Sequence, residues 1–166
     1  MKKIILVLFV FGFMIQSFAQ VITLPEVEVL ARNYKYLDDV NLPGVGSAVE
    51  ALQRYATEFD LKNSEYYEDE YEKYFISFFI PDGKILAAYD KDGNILRTVE
   101  KYKNMKLPIE VAQSITKNYS GWTIAENVYL VNYHDNRGVM KKEFKILLER
   151  GNRRMRVKTD ELGNIL

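Results

Sequence analysis

Tyr74–Leu96 reads YFISFFIPDGKILAAYDKDGNIL: a strand, a Pro-Asp-Gly turn, a second strand, and an Asp-Lys-Asp-Gly-Asn turn closing on Ile95-Leu96. The last residues of the chain, Gly163-Asn164-Ile165-Leu166, close in the same way. Displaced by seventy positions, Ile80–Leu96 lies over Arg150–Leu166 without a gap. Asp90, Gly93, Asn94, Ile95 and Leu96 then match Asp160, Gly163, Asn164, Ile165 and Leu166. Self-similarity at a fixed spacing predicts two copies of one supersecondary unit. Within the first copy, Tyr74, Ile76, Phe78 and Ile80 share one face and Phe75, Ser77 and Phe79 the other. Both faces are largely apolar, which predicts a central strand with a helix on one side and something apolar on the other. In the next strand Ile85, Ala87 and Tyr89 alternate with Lys84, Leu86 and Ala88. Asp92-Gly93 marks a tight turn, because glycine takes positive φ at no steric cost.

Upstream, Leu42-Pro43-Gly44-Val45-Gly46 opens the first copy, and Ser47 with Glu50 predicts a capping box. Val49, Leu52, Ala56 and Phe59 form a helical stripe that should stop near Asp60. A strand is expected over Leu61–Glu68, with a turn at Asp69-Glu70. The second copy opens at Leu107-Pro108, with Pro108 expected at the first helical position. Val111, Ile115 and Tyr119 lie on one helical face, and Gly121 is a predicted C-cap. Strands are expected over Trp122–Tyr133, Met140–Glu149 and Arg153–Thr159, with turns at His134–Gly138 and Gly151-Asn152. In the last strand Met155, Val157 and Thr159 should point inward, and Arg154, Arg156 and Lys158 to solvent. The expected fold class is α+β: two tandem helix-plus-antiparallel-strands repeats forming a sheet with helices packed on one face.

The chain has 166 residues and no cysteine, so disulfides, thiolate metal sites and cysteine nucleophiles are excluded. Lys2 and Lys3, the apolar run Ile4–Ile15, and Ser17-Phe18-Ala19 before Gln20 read as an export signal over residues 1–19. The apolar run is shorter than the roughly 20 residues needed to span a bilayer. The expected mature protein therefore starts at Gln20, has no membrane span, and is periplasmic or secreted. Residues 20–41 form an N-terminal extended arm, either loosely ordered or docked as an edge strand. Leu24-Pro25 argues against a central strand there, and Tyr34-Lys35-Tyr36-Leu37 offers an aromatic anchor. Residues 42–96 are the first repeat, 97–106 a charged connector, and 107–166 the second repeat.

Charge divides along the chain. Residues 42–96 hold 5 basic and 11 acidic side chains, whereas 107–166 hold 10 and 7. That is a dipole of two halves rather than the single basic face of a nucleic-acid binder. Catalytic signals are weak. His134 is the single histidine and sits in a turn sequence, with no HExxH or HxGH spacing. Gly44-Val45-Gly46-Ser47 lacks the Lys-Ser/Thr of a phosphate loop. Asp90–Asn94 resembles a calcium loop, but Glu100 falls one position off the bidentate ligand site, and the second copy places Leu162 where the first has Asp92. Glu68, Asp90 and Asp92 are the acids an enzyme would use, and nothing pairs them around a pocket. The sequence therefore predicts no catalytic residue, no metal and no cofactor.

Ser64–Tyr74, SEYYEDEYEKY, is the most distinctive predicted surface. Tyrosines interleaved with acids offer large contact area at low entropic cost. Tyr66, Tyr67, Tyr71, Glu68 and Glu70 are the candidate partner-binding residues of this predicted hairpin, with Arg154 and Arg156 on the basic strand. The expected partner is a protein or peptide of the cell envelope. The alternative is self-association of opposite charges, as in a structural or envelope-stress protein.

The repeated Leu-Pro, helix, strands and Asp-x-x-Gly pattern resembles the PepSY-like, β-lactamase-inhibitor-like family of exported bacterial proteins. The resemblance rests on Leu107-Pro108 with Val111 and Ile115, on Tyr119-Ser120-Gly121-Trp122, on Tyr89 through Gly93, and on Asp160 through Leu166. It covers roughly 42–166. It implies a small exported binding module, related in shape to peptidase propeptide modules and to inhibitors that bind enzymes through one sheet face. Two features depart from the pattern. The archetypal inhibitors carry disulfides, and the first copy has Phe59-Asp60 where the second has Gly121-Trp122. No inhibitory residue transfers by position.

Overall fold

The computed structural model describes residues 33–166; the predicted signal and residues 20–32 of the predicted arm lie outside the described residues. Six strands pair in chain order into one antiparallel sheet: β1 (Lys73–Ile80), β2 (Gly83–Asp90), β3 (Ile95–Lys103), β4 (Thr123–His134), β5 (Gly138–Arg150) and β6 (Arg153–Asp160). Short turns join neighbours everywhere except between β3 and β4, where α3 (Ile109–Asn118) intervenes. The other helices, α1 (Tyr34–Val40) and α2 (Ser47–Thr57), precede the sheet. The predicted class holds: helix-plus-strand units build one sheet.

Side-chain alternation decides which face the helices cover. Tyr74, Ile76 and Phe78 of β1, Ile85, Ala87 and Tyr89 of β2, Tyr129 and Val131 of β4, and Phe144, Ile146 and Leu148 of β5 are all buried. They meet Val49, Leu52 and Ala56 of α2, Tyr36 and Val40 of α1, and Val111 and Ile115 of α3 in one core. Fully burying such a side chain is worth about 1.5–3 kcal/mol, so this face dominates folding. Ring contacts organise it: Tyr129 stacks on Phe144 at 4.6 Å, and Tyr36 meets Tyr133 edge-on at 5.2 Å.

The two Asp-x-x-Gly-Asn turns, seventy residues apart, share one geometry. Asp90 Oδ1 accepts the Asp92 and Asn94 N–H groups at 2.9 and 2.8 Å, and Oδ2 accepts Asn94 Nδ2 at 2.7 Å. Asp160 accepts Leu162 N–H, Asn164 N–H and Asn164 Nδ2 at 3.0, 2.8 and 2.7 Å. The pairing of Tyr89 with Ile95 recurs as the bridge between Thr159 and Ile165. Gly93 and Gly163 take φ of 83° and 84°, which is why both positions are glycine.

Several expectations are corrected. Leu61–Glu68 is not a strand. Asp60 and Ser64 side chains bond the local backbone, and N–H groups of Ser64, Tyr67 and Tyr71 bond carbonyls three residues back. Such local bonds compete with a ladder. Ser64–Tyr74 is therefore a run of turns leading into β1, not a hairpin. The charged connector 97–106 is mostly strand β3, a central member of the sheet. Part of the predicted extended arm, Tyr34–Val40, is helical, with Tyr36 and Val40 buried one turn apart; Tyr36 is the anchor, while Tyr34 is exposed. The Ser47–Glu50 capping box does not form; Gly46 is the N-cap and its carbonyl accepts from Val49 and Glu50. Pro108 is the N-cap of α3 rather than its first residue, and Tyr119, not Gly121, is its C-cap. Finally, β1 is an edge strand rather than a central one.

Candidate functional site

Because all three helices pack on one side, the other side of the sheet is open among the described residues. The alternation that buries Tyr74, Ile76 and Phe78 turns Phe75 and Phe79 outward, at 58% and 70% exposure. Leu86 of β2 and Val99 of β3 extend this apolar strip across the neighbouring strands. Register places Ser77 beside Leu86 and Leu86 beside Val99. Large exposed apolar side chains grouped on one face mark interaction surfaces more often than isolated ones do.

Cations share this face with the strip. Lys73, Lys84, Arg97, Lys101 and Lys103 alternate outward from β1 to β3, and Lys141, Lys145, Arg154, Arg156 and Lys158 from β5 and β6. Two acids on this face are locally matched, Glu143 at 2.8 Å from Lys141 and Glu149 at 2.6 Å from Arg154, while Glu126 of β4 is exposed there. Arg97 sits 5.8 Å from the Phe75 ring centroid, a cation–π contact that holds the guanidinium over the strip. Lys73, Phe75, Ala88, Leu96, Arg97 and His134 line a depression of about 440 Å³. A second, of about 300 Å³, lies by Phe79, Lys84, Lys101 and Lys103. Acids concentrate in the 58–72 segment, which holds seven of them against one lysine.

The predicted site residues do not come together. Tyr66 and Tyr71 are about half exposed in the segment preceding β1. Tyr67 stacks on Tyr74 at 5.5 Å and donates to Asp69 at 2.8 Å, and Tyr71 meets Tyr74 edge-on at 6.3 Å. The Tyr74 hydroxyl donates to the Glu68 carbonyl. The Glu68 and Glu70 side chains are exposed. Hydrogen bonding holds the Tyr66 hydroxyl to Glu65 and, with burial second, raises the Tyr67 hydroxyl through Asp69. Arg154 and Arg156 are exposed on β6. The tyrosine segment and β6 flank opposite edges, five strand spacings or about 24 Å apart. What the sequence missed is the open face itself: Phe75, Phe79, Leu86, Val99 and Arg97. Its signal was present in β1, whose second apolar face has no cover among the described residues.

The buried acid of the core is Glu100, fully enclosed. Tyr36 and Thr98 donate to Oε1 at 2.8 and 2.9 Å, and Gln53 and Tyr102 to Oε2 at 2.9 and 2.7 Å. Burial raises its carboxyl pKa, and the four donors oppose that rise. It ties α1, α2 and β3 together and does not reach the open face. The calcium-like oxygens of Asp90 are occupied by turn N–H groups. His134 ends β4, with Nδ1 2.8 Å from Asp135 Oδ1. Among the described residues, no group of three or more His, Asp or Glu side chains is placed to hold a metal, and no helix is long and apolar enough to cross a membrane.

No protein-family model matches this sequence, and no curated protein matches it. Among solved structures, the chain is similar to a BLIP-like protein from Bacteroides fragilis. That alignment covers 78% of this chain and 87% of the other, at 19% identity and a TM-score of 0.34. That similarity does not extend to the PepSY-like or tandem-repeat part of the expected resemblance.

Proposed function

We propose that this protein is an exported, non-enzymatic binding module that recognises a protein or peptide through the helix-free face of its sheet. The observation that carries the reading is the strip of Phe75, Phe79, Leu86 and Val99, exposed and flanked by cations of β1 to β3. An apolar centre with a polar rim is the usual anatomy of a protein interface. The tyrosine segment lies beyond the β1 edge and supplies an adjoining contact rather than the main one. Export follows from the signal-like residues 1–19, and an enzyme modulator of the cell envelope fits such a module.

The test is photocrosslinking in the producing cell. A photoreactive residue in place of Leu86 or Val99 should give a discrete protein adduct, one in place of Glu50 on α2 should not, and Phe79→Asp should erase the adduct. Adducts from Glu50 alone would overturn the reading. The acidic 58–72 segment and the cations of the open face favour a second reading, self-association of this chain. It requires an oligomer that dissociates as salt screens charges beyond about 8–10 Å. A monomer by light scattering at low salt removes it.

A further inference from the structure

We infer that the free edge of β1 is a strand-addition site, which takes an extended acidic segment of a partner polypeptide as a further antiparallel strand. The inference rests on the proposal that the helix-free face binds protein, and it names where and how the partner's backbone attaches.

The internal repeat exposes the vacancy. By the Asp90–Asp160 correspondence, β1 and β2 stand where β5 and β6 stand in the second copy. Strand β5 has β4 on its far side, with pairs from Thr123–Glu149 to His134–Gly138. The equivalent neighbour of β1 would come from residues 58–72. That segment spends its hydrogen bonds on local turns, and Tyr67 and Tyr71 pack on Tyr74, whose side chain is on the helix-covered face. Among the described residues, β1 therefore pairs with β2 alone. The opposite edge differs, since β6 is partly closed by the Thr159–Ile165 bridge and a bond of 3.0 Å from Leu166 N–H to the Lys158 carbonyl.

The edge lacks the devices that normally block pairing. Exposed edges are blunted by charges, proline, bulges or short length. β1 is eight residues of unbroken register with β2, has no proline, and carries Lys73 as its one charge. An added strand would bond its backbone to the outward N–H and C=O groups of β1 and lay alternate side chains beside Phe75 and Phe79. On that face it would lie beside Lys73, with Lys84 on the next strand and the Arg97 guanidinium brought over Phe75, none of the three ion-paired among the described residues. Acids alternating with apolar residues match both the charge and the period of the site.

The test uses a defined probe, the capped peptide TEVEVEVT, against the isotope-labelled mature protein. In the free protein, alternate amides of β1 should exchange rapidly with solvent. The peptide should protect them and shift Phe75 and Phe79. The lysine counterpart TKVKVKVT, or the acidic peptide N-methylated at its valines, should bind at least tenfold more weakly. Equal binding of the N-methylated peptide would leave the face as a binding surface but overturn strand addition. Equal binding of the lysine peptide would overturn the acidic partner. No binding, or β1 amides already protected in the free protein by residues 20–32 or by a second copy, would overturn the site outright.

Discussion

The Tyr36 hydroxyl donates to Glu100 Oε1 at 2.8 Å, joining α1 to the centre of the sheet across 64 positions of sequence. With Gln53 bonded to the other oxygen of the same carboxylate, one buried acid fixes two helices onto β3.

That acid should leave a pH signature. Burial raises the Glu100 carboxyl in the folded protein, against the opposing hydrogen bonds. The native state therefore holds the proton to higher pH than the unfolded chain does. The contribution to stability is complete below the unfolded pKa and is lost as pH rises through the folded one. In denaturant titrations, the stability of wild type minus that of Glu100→Gln should fall with rising pH across that window; a constant difference would contradict it. Glu100→Ala, which orphans four buried donors, should cost about 3 kcal/mol or more.

The Asp160 turn should respond in the opposite sense. Slight burial alone would raise this carboxyl, but bonds from Asn164, Leu162 and Gly163 outweigh it and hold the pKa below the usual value. Its contribution is present above the unfolded pKa and is lost as pH falls through the folded one. Asp160→Ala should cost about 1 kcal/mol at neutral pH once solvent screening is allowed for. Acid titration should close the gap between variant and wild type.

Glycines of similar φ should differ in tolerance. Gly163, at φ 84°, would place a Cβ 2.6 Å from the Glu110 carbonyl oxygen, whereas Gly151, at φ 57°, has nothing within 4 Å. Gly151→Ala should cost about 1 kcal/mol, from backbone conformation alone. Gly163→Ala must also move the last turn away from α3, and its melting temperature should drop measurably further.

Adjacent phenylalanines in β1 should separate folding from binding. Phe78 is 5% exposed and touches Tyr55, Phe59 and Tyr89. Phe78→Ala should cost about 3–5 kcal/mol. Phe79→Ala, on the open face, should stay within about 0.5 kcal/mol of wild type. Chemical denaturation of the two variants checks both values.

The sequence by itself determined what short-range chemistry determines. The Asp-x-x-Gly-Asn turns declare themselves because an aspartate, a positive-φ glycine and an asparagine satisfy one another within five residues. Strands β2, β5 and β6 and helices α2 and α3 follow from period and punctuation. Tertiary structure decided the rest. Arg97–Lys103 reads as a polar connector, yet it is central strand, because its inward acid is buried only where Tyr36 and Gln53 arrive from distant segments to meet Tyr102 of the same strand. Helix α1 has no strong local signal and is held by buried Tyr36 and Val40. The two apolar faces of β1 argued for a covered, central strand. Only the sheet order shows that it lies at the edge, since period fixes which residues share a face but not whether a neighbour arrives to cover it.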